Sequence, residues 1–348
     1  MTTEEIYMLV RCNLTGDHEQ DLAFLKEQRE IIRDRENARQ LRNACECLGY
    51  RSLSEETGAV QPGDTAGGEP EYVQVLEDVR AQMSRGEYGK GLDRMQPVME
   101  AMETSARCRE YEAQGYHSFH TFFEKALYMD THRSEKKVRC TPVPYDTICL
   151  QYAALLMALD RPGDARRALK KALKWNPVSA DIALSYVETF RMQGDYGQVL
   201  KLTIPVFRFA FRPYQVACCF RNLGDAFLEK EAWQAAMGCY TLSMKYEDAP
   251  VLAMTSAFYI REITGAFPEC TQEDMKRIAD LYHFPVDVHP KVLELLCDCA
   301  SHALDRKKYD HVRYFLEALY ELTKMEKIRE FMDTLPETGN PSGGPGER

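Results

Sequence analysis

The chain has 348 residues, 45% of them hydrophobic and 28% charged, with a formal charge of −10 at pH 7. That apolar fraction excludes a wholly disordered chain, and the length exceeds the usual single domain, leaving two domains or one elongated repeat array. The acids and bases are spread rather than blocked, which favours solubility and argues against a dedicated nucleic-acid binder.

The N-terminus, Met1-Thr2-Thr3-Glu4-Glu5, lacks the basic start and apolar core of a secretory signal. No apolar run approaches the roughly 20 residues needed to cross a bilayer; the longest, Tyr152 to Leu159, has the length of a core helix. The expectation is a cytoplasmic chain without membrane contact. Its 12 cysteines include no C-x-x-C pair, so free thiols in a reducing compartment are expected.

In chain order, residues 1–53 are helical in pattern and heavily charged, as in Lys26 to Arg42, and predict a small N-terminal helical segment. Residues 54–70, SEETGAVQPGDTAGGEP, have no periodic apolar face and read as a flexible linker. Amphipathic helices alternate with short turns over 71–332. Residues 333–348, ending PETGNPSGGPGER, are expected to be a disordered tail.

Internal repetition decides the fold class. YAALLMALDRPGDARRALKKALKWNP (152–177) aligns with YVETFRMQGDYGQVLKL (186–202) at an offset of 34 residues. Leu223, Gly224, Phe227, Ala236, Tyr240 and Ser243 repeat the pattern after a three-residue slip, and Ala300, Ala303, Tyr309, Val312, Leu316 and Leu319 repeat it again. The clearest units are 145–178, 180–211, 216–250 and 290–325, with weaker copies at 71–103 and 251–283. One residue of a first helix should meet two of the second where the axes come closest. The trios Ala153/Ala165/Ala172, Val187/Val199/Val206 and Gly224/Ala236/Ser243 each keep matched small side chains, as close-packed helices require.

In these residues, together with Leu156, Leu169, Pro177 and Gly194-Asp195-Tyr196, the chain resembles the tetratricopeptide-repeat family over about residues 71–328. The resemblance implies an all-α tetratricopeptide-repeat helical solenoid of antiparallel helix pairs, here carrying the small helical N-terminal segment. Two irregularities are expected. Pro205 should kink the second helix of the 180–211 unit. Residues 104–144, with the basic loop Arg133–Arg139, should contribute a short helix and a long connection.

The resemblance also implies that the first helix of each pair lines a concave face. Positions on that stripe are Leu150/Ala154/Met157, Leu184/Glu188/Arg191, Arg221/Asp225/Leu228 and Thr255/Tyr259/Glu262. Leu150, Met157, Glu188, Arg191, Arg221, Asn222, Asp225 and Tyr259 are therefore the candidate peptide-binding residues. The charged members either read a ligand or form a salt-bridge lattice satisfied between neighbouring helices. Some family members grip a C-terminal carboxylate with Lys, Arg and Asn. Here Leu150, Ala154 and Met157 fill the first such set, and only Arg221 and Asn222 keep suitable chemistry.

Other chemistry is weakly signalled. His117, His120, His132 and Cys140 fit no structural-zinc spacing and lie among Tyr116, Phe119, Phe122 and Phe123, which reads as packing rather than metal binding. Arg166, Arg167, Lys170, Lys171 and Lys174 read as the solvated face of one helix, without interleaved aromatics for base stacking. No nucleophile-elbow, zincin, phosphate-loop or dinucleotide motif occurs. The reading is a non-catalytic scaffold without cofactor or metal, binding an unidentified protein or peptide and no nucleic acid. The alternative is a regulator whose segment 1–53 is controlled by a peptide-sensing repeat array.

Overall fold

A computed structural model of the chain describes residues 70–132, 138–247 and 250–336. The expected N-terminal segment 1–53, the linker up to residue 69, residues 133–137 of the basic loop and the tail beyond 336 lie outside the described residues. The described residues are all-α, with no strand; an isolated bridge joins His117 to Cys140. In chain order the helices are α1 (Pro70–Ser84), α2 (Tyr88–Thr104), α3 (Ala106–Ala113), α4 (Phe122–His132), α5 (Tyr145–Ala158), α6 (Pro162–Trp175), α7 (Ala180–Arg191) and α8 (Tyr196–Thr203). They continue as α9 (Pro213–Glu229), α10 (Trp233–Met244), α11 (Val251–Thr264), α12 (Gln272–Tyr282), α13 (Pro290–Asp305), α14 (Tyr309–Thr323) and α15 (Glu326–Asp333).

Five antiparallel pairs, α1/α2, α5/α6, α7/α8, α9/α10 and α13/α14, turn on the same backbone device. Gly86, Asp160, Gly194, Glu231 and Lys307 stand at φ of 72°, 58°, 74°, 56° and 56°. At Asp160 the amide donates to the Met157 carbonyl at 3.0 Å, and the next amide, Arg161, donates to Leu156 at 2.8 Å. The same two bonds recur at the other four turns, capping the last carbonyls of each first helix. Within two of the pairs the small trios are buried at the helix contact: Ala153, Ala165 and Ala172 are fully buried, as are Ala236 and Ser243 beside Gly224, while Val206 of the third trio lies in the 3-10 turn beyond α8. Pro205 removes a helical donor, and there α8 gives way to a 3-10 turn over Ile204–Arg208.

The weak copy at 251–283 does not form a pair. Helices α11 and α12 pack chiefly on α10 rather than on each other, because residues 265–271 separate them and Met275 and Cys270 seat against Gly238. The chain then returns along α9: Tyr282 stacks edge-on against Phe227 at 4.9 Å, Phe284 lies 6.4 Å from Phe207, and the Tyr246 hydroxyl bonds to Asp287.

Residues 104–144 hold two helices rather than one short one. The second, α4, docks far from its neighbours in sequence, on α13. Two apolar clusters result. One joins α1, α2, α5 and α6 around Val79, Met95, Ile148, Leu155 and Leu169. The other runs from α7 to α14 and takes in Phe123 and Leu127 of α4. At the C-terminal end, residues 333–336, expected in the tail, belong to the folded body. Leu335 is buried, and Arg313 donates to the carbonyls of Met332 and Leu335 at 3.2 and 2.9 Å.

Candidate functional site

The charged stripe of α7 and α9 closes on itself. The i, i+3 spacing on α7 brings Arg191 onto Glu188 as an ion pair, and Arg191 reaches Asp225 of α9 at 3.8 Å. The Tyr240 hydroxyl donates to Asp225 at 2.8 Å. Glu188, Arg191 and Asn222 are buried, and Arg221 is ion-paired with Glu247. A buried pair of this kind needs its partners in place, since desolvation costs several kcal/mol per ion. Leu150 and Met157 are half-buried against the first apolar cluster, whereas Tyr259 on α11 is 47% exposed. The structure thus joins Glu188, Arg191 and Asp225 into one group, and leaves Leu150 and Met157 of α5 and Tyr259 of α11 apart from it.

A second polar concentration lies on the edge where one pair hands over to the next, at Trp175–Ala180 and Phe209–Pro213. Sequence reasoning did not find it. Residues 117–121 run along this edge: the Ser118 amide donates to the Trp175 carbonyl at 3.0 Å, and the Ser118 hydroxyl donates to Asp146 at 2.6 Å. Asn176 donates to the other Asp146 oxygen at 3.0 Å. Glu124 accepts from the His120 and Thr121 amides at 2.8 and 2.9 Å, while its own amide donates to the Thr121 hydroxyl at 3.1 Å. That reciprocal cap starts α4, and Thr121-x-x-Glu124 was its readable signal. Asp181 accepts from the Tyr214 hydroxyl at 2.6 Å and from Gln215 at 3.0 Å. Burial raises the carboxyls of Glu124 and Asp181 above their usual range; the nearby acids Asp146 and Asp181 raise Glu124 further. Arg212 stacks over Phe211 and Tyr314 and pairs with Glu321 at 3.2 Å, tying this edge to α14.

The histidines take part in packing. His117 and His132 lie against Tyr128 with ring centroids 4.2 and 4.0 Å away, and no group of three or more His, Cys, Asp or Glu among the described residues is placed to hold a metal. The cysteines among the described residues are free thiols. Burial pushes Cys149, Cys219 and Cys239 up, and Cys299 to about 11, so these stay protonated and unreactive at neutral pH. A cleft of about 270 Å³ between α3 and α6 has its rim crossed by the pairs Glu103–Lys171 and Glu112–Lys174. No helix among the described residues is long and apolar enough to cross a membrane.

These features define the class: an all-α protein built of repeated antiparallel helix pairs. No protein-family model matches the chain, and no curated protein matches it. Among solved structures it is similar to a chain of the crystal structure of the APC/C hetero-tetramer Cut9-Hcn1. The match has 11% identity and a TM-score of 0.25, and covers 97% of this chain and 67% of that one.

Proposed function

We propose that this is a tetratricopeptide-repeat scaffold that binds a protein or peptide and catalyses no reaction, working in the cytoplasm without nucleic acid or cofactor. The observation that carries the reading is apolar surface kept in water on two ordered helices, α11, which stands outside the pairs, and α5, the first helix of its pair. Tyr259 and Ile263 are 47% and 50% exposed on successive turns of α11, and Leu150 and Met157 are half-covered on α5. Apolar side chains exposed on successive turns of one helix, as Tyr259 and Ile263 are, mark interaction sites. Leu150, Met157 and Tyr259 supply the contacts. Glu188, Arg191, Arg221, Asn222 and Asp225, buried or ion-paired, brace the helices of the array rather than present charge to the ligand.

Affinity capture from the source cell tests this, with Met157→Glu, Tyr259→Glu and Arg167→Glu compared after circular dichroism has shown each to be folded. Apolar anchors dominate affinity, so the first two variants should lose the captured protein. Arg167, whose side chain is 76% exposed on the outer face of α6, should tolerate the change. Capture that persists in both anchor variants and vanishes with Arg167→Glu would move the site to the convex face.

A further inference from the structure

Helix α4 behaves as a ligand of the array more than as a member of it. It belongs to none of the five pairs, yet Phe123 and Leu127, one turn apart on one face, are buried in the cluster whose other buried members begin at Val178 and run to the C-terminal helices. The Phe123 ring lies 4.8 Å from Phe211 and 6.3 Å from Phe315, and Phe122 lies 4.6 Å from the His311 ring. The slot is thus formed by α13, by the corner before α9 and by α14, with Arg212 at its rim, and α4 fills it through an i, i+4 pair as an amphipathic helix fills a groove.

We propose that this slot is a docking site for a partner's amphipathic helix, occupied in the isolated chain by its own α4. The occupant's chemistry can be read from α4: a capped start, an aromatic two residues after the cap, and an aliphatic four residues beyond that aromatic, as in Thr121, Phe123 and Leu127. The resident helix fits imperfectly. Phe122 and Met129 remain 41% and 43% exposed, and Glu124 is buried facing Asp146 and Asp181, with His120 as the basic side chain nearby. A helix with glutamine in place of that carboxylate keeps an acceptor for the cap amides and avoids burying a third acid. Such a helix displaces α4.

The test is fluorescence anisotropy of a labelled peptide, Ser118 to His132 with Glu124→Gln, titrated with the full chain. A self-occupied site weakens apparent binding by the fraction of time it stands open. The Phe123→Ala chain should therefore bind the peptide at least about tenfold tighter than wild type, and adding Phe315→Ala should abolish the gain. Equal affinity for wild type and a folded Phe123→Ala chain overturns the proposal. If Phe123→Ala does not fold, hydrogen exchange on the wild type decides. Amides of α4 exchanging while α13 and α14 stay protected support the proposal; all three exchanging together overturn it. A dimer that swaps α4 between copies would overturn the choice of occupant. The slot does not include Met157 or Tyr259, so this proposal and the scaffold reading fail separately.

Discussion

Arg191 on α7 faces Asp225 on α9 at 3.8 Å while ion-paired with Glu188, so one guanidinium holds two carboxylates. The three side chains are 5%, 13% and 9% exposed. Removing the cation strands two acids where water reaches them poorly. Arg191→Ala is expected to lower the unfolding free energy by about 3–5 kcal/mol. Asp225→Asn, which keeps an acceptor for Tyr240, should lose about 1 kcal/mol. Urea midpoints measure both, and near-equal losses would show that the pair is solvated.

Gly224 sits against the Tyr240 ring, and a Cβ there would lie 2.5 Å from Cε1. The ring cannot swing aside without giving up its bond to Asp225. Gly224→Ala should therefore destabilise by about 1–3 kcal/mol through overpacking. Gly197, inside α8, meets nothing closer than Asp195 Oδ1 at 3.5 Å. There alanine should stabilise by roughly 0.5–1 kcal/mol through helix propensity. Thermal melts of the two variants should move in opposite directions.

The shared turn predicts a second pair of opposite signs. Lys307 holds φ 56° and is exposed, so Lys307→Gly should relieve left-handed strain and stabilise by about 0.5–1 kcal/mol. Gly194→Ala, at φ 74° with open space around the new Cβ, should cost about 1–2 kcal/mol from backbone conformation alone. A stable Gly194→Ala would mean that this turn rearranges freely.

Glu124 carries a pH dependence whose sign follows from its raised carboxyl. Below about pH 4 both folded and unfolded states hold the proton, and nothing is lost. As pH rises, the unfolded chain ionises first, so stability falls until the raised folded value is passed. Glu124→Gln should thus be more stable than wild type at pH 7, with the advantage shrinking as pH falls toward 5. His117 and His289, both lowered by burial, act in the opposite sense in both proteins. The difference between the two melting curves isolates Glu124, and a difference that grows on acidification would refute the assignment.

The sequence by itself determined the helix pairs. The 34-residue offset, the matched small trios and Pro205 are local facts, and each acts within one pair, where every contact lies within about forty residues. The turns were half-legible: Gly86 and Gly194 announce a left-handed residue, whereas Asp160, Glu231 and Lys307 adopt it because the two amide–carbonyl bonds outweigh the strain.

Only the tertiary structure decided how the pairs are arranged and which charges are spent. The pattern at 251–283 is periodic enough to suggest a pair, but packing on α10 offered each of its helices a better-buried face than the other could. Nothing local says that Phe123 meets Phe211 and Phe315, because a buried aromatic has the same sequence signature whichever partner covers it. The charges of α7 and α9 are likewise ambiguous in a linear reading. Whether Arg191 faces a ligand or Asp225 depends on how closely α7 and α9 approach, which no pattern within either helix states.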